Sequence, residues 1–110
     1  MNIKIDVEQR ENNIEASVQG EIDAYTTPKL REQLLPLAEQ KFVHMTIDLS
    51  GVEYMDSTGL GVFVGLFKTV RGNDGEFRLV GLSDRLTRLF DITGLADIIN
   101  ISSDAKGGMR

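Results

Sequence analysis

Residues 43–80 read VHMTIDLSGVEYMDSTGLGVFVGLFKTVRGNDGEFRLV, and their apolar period changes twice. Val43, Met45, Ile47 and Leu49 alternate with His44, Thr46 and Asp48, the period of two expected of a strand with one buried face. This strand is expected to run into Ser50-Gly51, which leaves residues 50–56 as a link before the next element. After Asp56, placed as an N-cap, the period becomes helical and sets Leu60, Phe63, Phe67 and Val70 on one side. Gly72-Asn73-Asp74-Gly75 closes the helix with turn chemistry, and Phe77, Leu79 and Val80 form another short strand. A strand, a helix and a strand in this order form a crossover unit, which requires a sheet with helices laid against it.

The flanking sequence extends that sheet. Ile3, Ile5 and Val7 alternate with polar residues and predict a strand over residues 2–8. Ile14, Ala16 and Val18 alternate again after the polar turn at 10–13, so the two strands form an antiparallel hairpin with a loop of several residues. Gly20-Glu21-Ile22-Asp23 ends the second strand, and Thr27-Pro28 reads as N-cap and first position of a helix to about Gln40. Pro36 removes the amide that would bond to Glu32, but apolar spacing continues past it, which predicts a kink and not a stop. Ser83 caps a third helix carrying Leu86, Leu89 and Phe90 inward, Thr93-Gly94 terminates it, and a last apolar stretch covers 95–101. Residues 102–110 have little to bury and read as a frayed tail. The expected fold is therefore α/β, a mixed sheet of four to five strands with helices packed against it, in one domain over residues 1–101.

Composition narrows the chemistry. The 110 residues carry 12 Lys+Arg against 17 Asp+Glu, a net charge of −5 that disfavours nucleic acid and anionic membrane as partners. Cys is absent and His44 is the only histidine, so a thiol nucleophile, a zinc knuckle and a His-pair metal centre are all excluded, and no cofactor is called for. The amino-terminal sequence lacks the basic and apolar regions of a signal peptide, and no apolar run approaches bilayer length, so a soluble cytoplasmic protein is expected. No catalytic residue emerges. Ser57 lacks a Gly-x-Ser-x-Gly elbow and has only His44, on the polar face of a preceding strand, as a potential base. A receiver-type phospho-acceptor would need an acidic pair after the first strand and a partnering Lys, and neither stands out.

The second helix carries the functional signal. Every residue from Ser57 to Phe67 is uncharged, unlike a helix that faces solvent on one side. At 100° per residue its outer face collects Thr58, Gly61, Val62, Gly65 and Thr69, with Ser57 at the edge. Gly61 and Gly65 each cost the helix about 1 kcal/mol relative to Ala, understandable if another molecule approaches closely there. The alternative is that the domain itself covers this face. Ser57 at the first helical position lies where orphan amides and the helix dipole favour an anion, so a phosphate on it would place about −1.5 to −2 charges at the rim of an uncharged docking face. Simple capping by Asp56-Ser57-Thr58 is the bland reading of the same tripeptide. Gly59-x-Gly61-x-x-x-Gly65 loosely imitates a dinucleotide fingerprint, against which stand the spacing, the seven-residue link at 50–56, and a following strand without a ribose-binding acid. Asp23 is of interest because its strand-to-helix loop can reach the same sheet edge as Ser57.

Met55-Asp56-Ser57-Thr58-Gly59-Leu60-Gly61-Val62, with Gly20-Glu21-Ile22-Asp23 and Arg88-Leu89-Phe90-Asp91-Ile92-Thr93-Gly94-Leu95, resembles the STAS domain of anti-sigma factor antagonists nearly end to end. Asp23-Ala24-Tyr25-Thr26-Thr27-Pro28-Lys29-Leu30-Arg31 is most similar to the branch acting on sigma-B in the general stress response. A sporulation-type antagonist, or a STAS scaffold or nucleotide-sensing module, is the alternative. The resemblance implies a partner switch that is not an enzyme. The unphosphorylated protein binds an anti-sigma factor serine kinase and releases the sigma factor, the kinase phosphorylates Ser57, and a serine phosphatase resets it. By position, Asp23, Tyr25, Thr26, Asp56, Thr58, Gly59, Leu60, Gly61, Val62 and Gly65 would form the contact surface.

Overall fold

A computed structural model describes residues 2–103. Strands β1 (Ile3–Arg10) and β2 (Asn13–Ile22) form the hairpin, followed by helix α1 (Thr27–Ala38), strand β3 (His44–Met55) and helix α2 (Ser57–Gly72). Strand β4 (Glu76–Val80), helix α3 (Asp84–Ile92), a 3-10 turn (Leu95–Asp97) and strand β5 (Asn100–Ile101) complete it. The sheet order is β1-β2-β3-β4-β5, antiparallel between β1 and β2 and parallel thereafter. Each parallel neighbour is reached through one helix, and successive crossovers of one hand lay all the helices on one face. Burial agrees, since Ile14, Ala16, Val18, Met45, Ile47, Leu49, Phe77 and Leu79 are covered. Glu15, Thr46, Asp48 and Arg78, on the intervening positions, line the open face. The five-stranded mixed sheet is thus the one expected.

One continuous core fills the space between the layers, with Phe63 of α2 and Phe90 of α3 fully enclosed. Truncating either to Ala is expected to cost about 3–5 kcal/mol, a large part of a small domain's stability. Phe67 meets Phe77 edge-on, with ring centroids 6.2 Å apart, and so fixes α2 over β4.

Several boundaries differ from the sequence expectation. Arg10 pairs with Asn13, so the hairpin turn is only Glu11-Asn12, with Glu11 at φ +54°. Backbone pairing continues through polar Gln9 and Arg10, where side-chain pattern gives no sign of it. The N-cap of α1 is Thr26, not Thr27, and its side chain makes no cap bond. Helix α1 continues through Pro36 but ends at Ala38 instead of Gln40. Strand β3 reaches Met55, past the expected stop at Ser50-Gly51, because register shifts against β2 break strict alternation and bury Val52 and Met55 three residues apart. The link at 50–56 therefore shrinks to Asp56, and one objection to a dinucleotide fingerprint disappears, while the wrong glycine spacing and the missing ribose acid remain. Ser83 accepts from the Leu86 amide at 3.2 Å as an N-cap, and Gly94 follows α3 at φ +80°. At the start of the expected tail the Ser102 amide donates to Leu79 O at 2.9 Å; residues 104–110 of that tail lie outside the described residues.

Candidate functional site

The carboxyl ends of β2 and β3 bring together the two segments that the sequence singles out, since the Asp56 amide donates to Ile22 O at 3.2 Å. Beyond Ile22 the chain folds on itself. Asp23 Oδ1 accepts from the amides of Tyr25 (2.9 Å) and Thr26 (3.0 Å), while the Thr26 hydroxyl accepts from the Asp23 amide (2.9 Å) and donates to Glu21 O (2.8 Å). Asp23 and Thr26 are both buried and frame the loop through these bonds. The frame forces Tyr25 outward, where it is 86% exposed.

Asp56 leaves β3 extended, at φ −111° and ψ −170°, and turns its side chain over the first turn of α2. Its Oδ1 accepts from the Thr58 amide (3.0 Å), the Gly59 amide (3.4 Å) and the Thr58 hydroxyl. The Thr58 hydroxyl bond, joined by the amide bonds, holds the Asp56 carboxyl below the ordinary aspartate value against the opposing effect of desolvation. These amides are the orphan donors expected to welcome a phosphate on Ser57, and the cap already occupies them. Ser57 itself is exposed, and its hydroxyl has no hydrogen-bond partner among the described residues.

The glycines of α2 divide by environment. A Cβ at Gly59 would meet Ile22 Cγ2 and Met55 Cγ at 2.7 Å each, so glycine is required where the helix starts against the strand ends. At Gly61 and Gly65 an added Cβ meets nothing within 4 Å, and both residues are exposed. Their cost to the helix is not recovered by packing inside the domain. Leu60 (8% exposed) and Val62 (3%) are buried, as is Gly59, which removes Val62 from the expected outer face. Helix α1 packs alongside α2, so the covered sector is wider than contact with the sheet alone would give. What remains outward beside Ser57 is Thr58, Gly61 and Gly65, with Thr69 and Asp56 half-buried.

Tyr54 belongs to this end of the molecule and was not expected there. It is 43% exposed, pairs with Glu21 in the β2–β3 ladder and precedes Asp56 by two residues. Its position beside the Asp-Ser-Thr signature is the one sequence signal for it, hidden by ending the strand too early. His44 is exposed at the opposite end of β3, too remote to serve Ser57 as a base. Among the described residues no group of three or more His, Cys, Asp or Glu side chains is arranged to hold a metal ion, and no helix is long and apolar enough to cross a membrane.

Fold and surface together define an α/β module that presents a free serine hydroxyl at the rim of a smooth helix face. The family model of the STAS domain matches residues 4–107. The chain is 57% identical over 110 residues to the anti-sigma-B factor antagonist of Bacillus subtilis, covering 100% of both chains. It is 54% identical to the protein of that name in Listeria monocytogenes, over 94% of this chain and 91% of that one. The crystal structure of an anti-sigma factor antagonist from Mycobacterium paratuberculosis superposes with a TM-score of 0.82 at 28% identity, over 92% of this chain and 86% of the other. The chain belongs to the STAS domain family.

Proposed function

We propose that this protein is an anti-sigma factor antagonist of the sigma-B, general stress-response type, working by partner switching in the cytoplasm. In the unmodified state the face built from Thr58, Gly61 and Gly65, flanked by Tyr25, receives an anti-sigma factor serine kinase, which then releases its sigma factor and permits transcription. The kinase transfers phosphate to Ser57, the complex separates, and a serine phosphatase restores the binding form. The protein is ligand and substrate in this cycle, not an enzyme, and the nucleotide belongs to the kinase. Asp23, Thr26, Asp56, Gly59, Leu60 and Val62 act from beneath by shaping the surface. Residues 1–101 make up the switching domain.

The observation that carries this reading is a free, exposed serine hydroxyl beside two helical glycines over which the domain places nothing. A phosphate there stays at the surface, because the cap already holds the amides of Thr58 and Gly59. The modification therefore acts on the partner, as a desolvation and repulsion cost at the interface, and not by refolding its own helix. Names of relatives with high identity over nine-tenths or more of the chain support the same role. The test is the intact mass of wild type and Ser57→Ala after incubation with ATP and lysate of the source organism. One phosphate on wild type alone is the expected result. No addition to either, with a known phosphoprotein labelled in the same lysate, would shift the reading to a scaffold or ligand-sensing module.

A further inference from the structure

We infer that Asp56 selects which of two adjacent hydroxyls receives the phosphate, by tying down Thr58 and leaving Ser57 free. This rests on the partner-switching reading above and adds to it a selectivity device within the chain. Ser57 and Thr58 are both exposed and adjacent in the first turn of α2, so exposure alone does not distinguish them. Hydrogen bonding does. The Thr58 hydroxyl donates to Asp56 Oδ1, the same oxygen that accepts the Thr58 and Gly59 amides, whereas no described residue engages the Ser57 hydroxyl.

Phosphoryl transfer forms a bond between the hydroxyl oxygen and the γ-phosphorus of a nucleoside triphosphate. It breaks the bond from that phosphorus to the bridging oxygen, releases a nucleoside diphosphate with the bonding pair, and passes the hydroxyl proton to a base on the kinase. Ser57 meets this requirement by rotation about one bond. Thr58 must first give up a hydrogen bond to a carboxylate and turn its oxygen away from the helix start, and its β-branched side chain has few rotamers in which to do so. Loss of a hydrogen bond to a charged group corresponds to at least about tenfold in rate. Asp56 is accordingly a positioning residue and takes no part in the transfer.

The experiment compares phosphate on the two residues of one chain, so overall recognition by the kinase cancels. Wild type, Asp56→Gly and Ser57→Ala are incubated with ATP and the lysate, and the sites are mapped by fragment mass. Glycine is a tolerated N-cap but offers no acceptor. Wild type is expected to carry phosphate on Ser57 with less than about a tenth as much on Thr58, and Ser57→Ala almost none. Asp56→Gly is expected to raise the Thr58 share about tenfold or more. An unchanged ratio in Asp56→Gly would overturn the inference, as would rapid phosphorylation of Thr58 in Ser57→Ala. Complete loss of phosphate from a folded Asp56→Gly would make Asp56 a kinase recognition element and overturn it equally. Wild type left unlabelled would instead sink the switching reading. In that case three-bond couplings still test the geometry, with a single Thr58 χ1 rotamer expected in wild type and an averaged one in Asp56→Gly. Averaging in both would remove the basis for selection.

Discussion

Ser57 and Asp56 sit next to each other with opposite assignments, one hydroxyl without a partner among the described residues and one carboxylate held through Oδ1 by the helix start. Ser57→Asp is expected to weaken kinase binding strongly, and Ser57→Ala to keep binding while abolishing phosphorylation, both measured by titration calorimetry. Equal affinity for Ser57→Asp and wild type would count against charge exclusion. Because the Asp56 carboxyl is held below its unfolded value, its contribution to stability is present above that value and disappears as pH falls through the folded one. Asp56→Ala should therefore lower the urea midpoint at pH 7, and the gap to wild type should narrow in acid below about pH 4. Asp56 as the cap and Ser57 as the first helical residue were legible in the sequence because capping is decided within one turn of helix. The burial of Asp23 and Thr26 was not legible, because it depends on how a loop closes over itself, which spacing does not reveal.

Helix α2 shows how an element's outer face can be cheap for the fold and costly for function to alter. Gly61→Ala and Gly65→Ala meet open space, so each should stabilise the protein by about 0.5–1 kcal/mol and raise the melting temperature by several degrees. The same changes should weaken partner binding if the face is used in close approach. Stabilisation with undiminished binding would mean that no partner uses it. Gly59→Ala should do the reverse and destabilise by about 1–3 kcal/mol through its contacts with Ile22 and Met55. Helical spacing gave the apolar side of α2 correctly for Leu60, Phe63 and Val70. It misplaced Val62, because a projection of one helix does not include the neighbour, α1, that widens the buried sector. The end of β3 was lost for a related reason, since bulges shift Val52 and Met55 off the alternating pattern.

Across the whole molecule, the order of elements was legible because each crossover in a sheet of sequential neighbours needs only a strand, a helix and a strand. What that order does for function is to align the starts of α1 and α2 at one sheet end, where Tyr25, Tyr54 and Ser57 emerge together. The outer edge strand β1 carries alternating Lys4, Asp6, Glu8 and Arg10, charges that discourage pairing with another copy. Sedimentation should accordingly show a monomer at high concentration, whereas a stable dimer would favour a scaffold role. The central claim is that phosphate on Ser57 ends partner binding without reshaping the domain. It is tested most directly by titrating the anti-sigma factor kinase with unmodified and Ser57-phosphorylated protein side by side. The phosphorylated form is expected to bind on the order of a hundredfold more weakly. Equal binding by the two forms would contradict the switch.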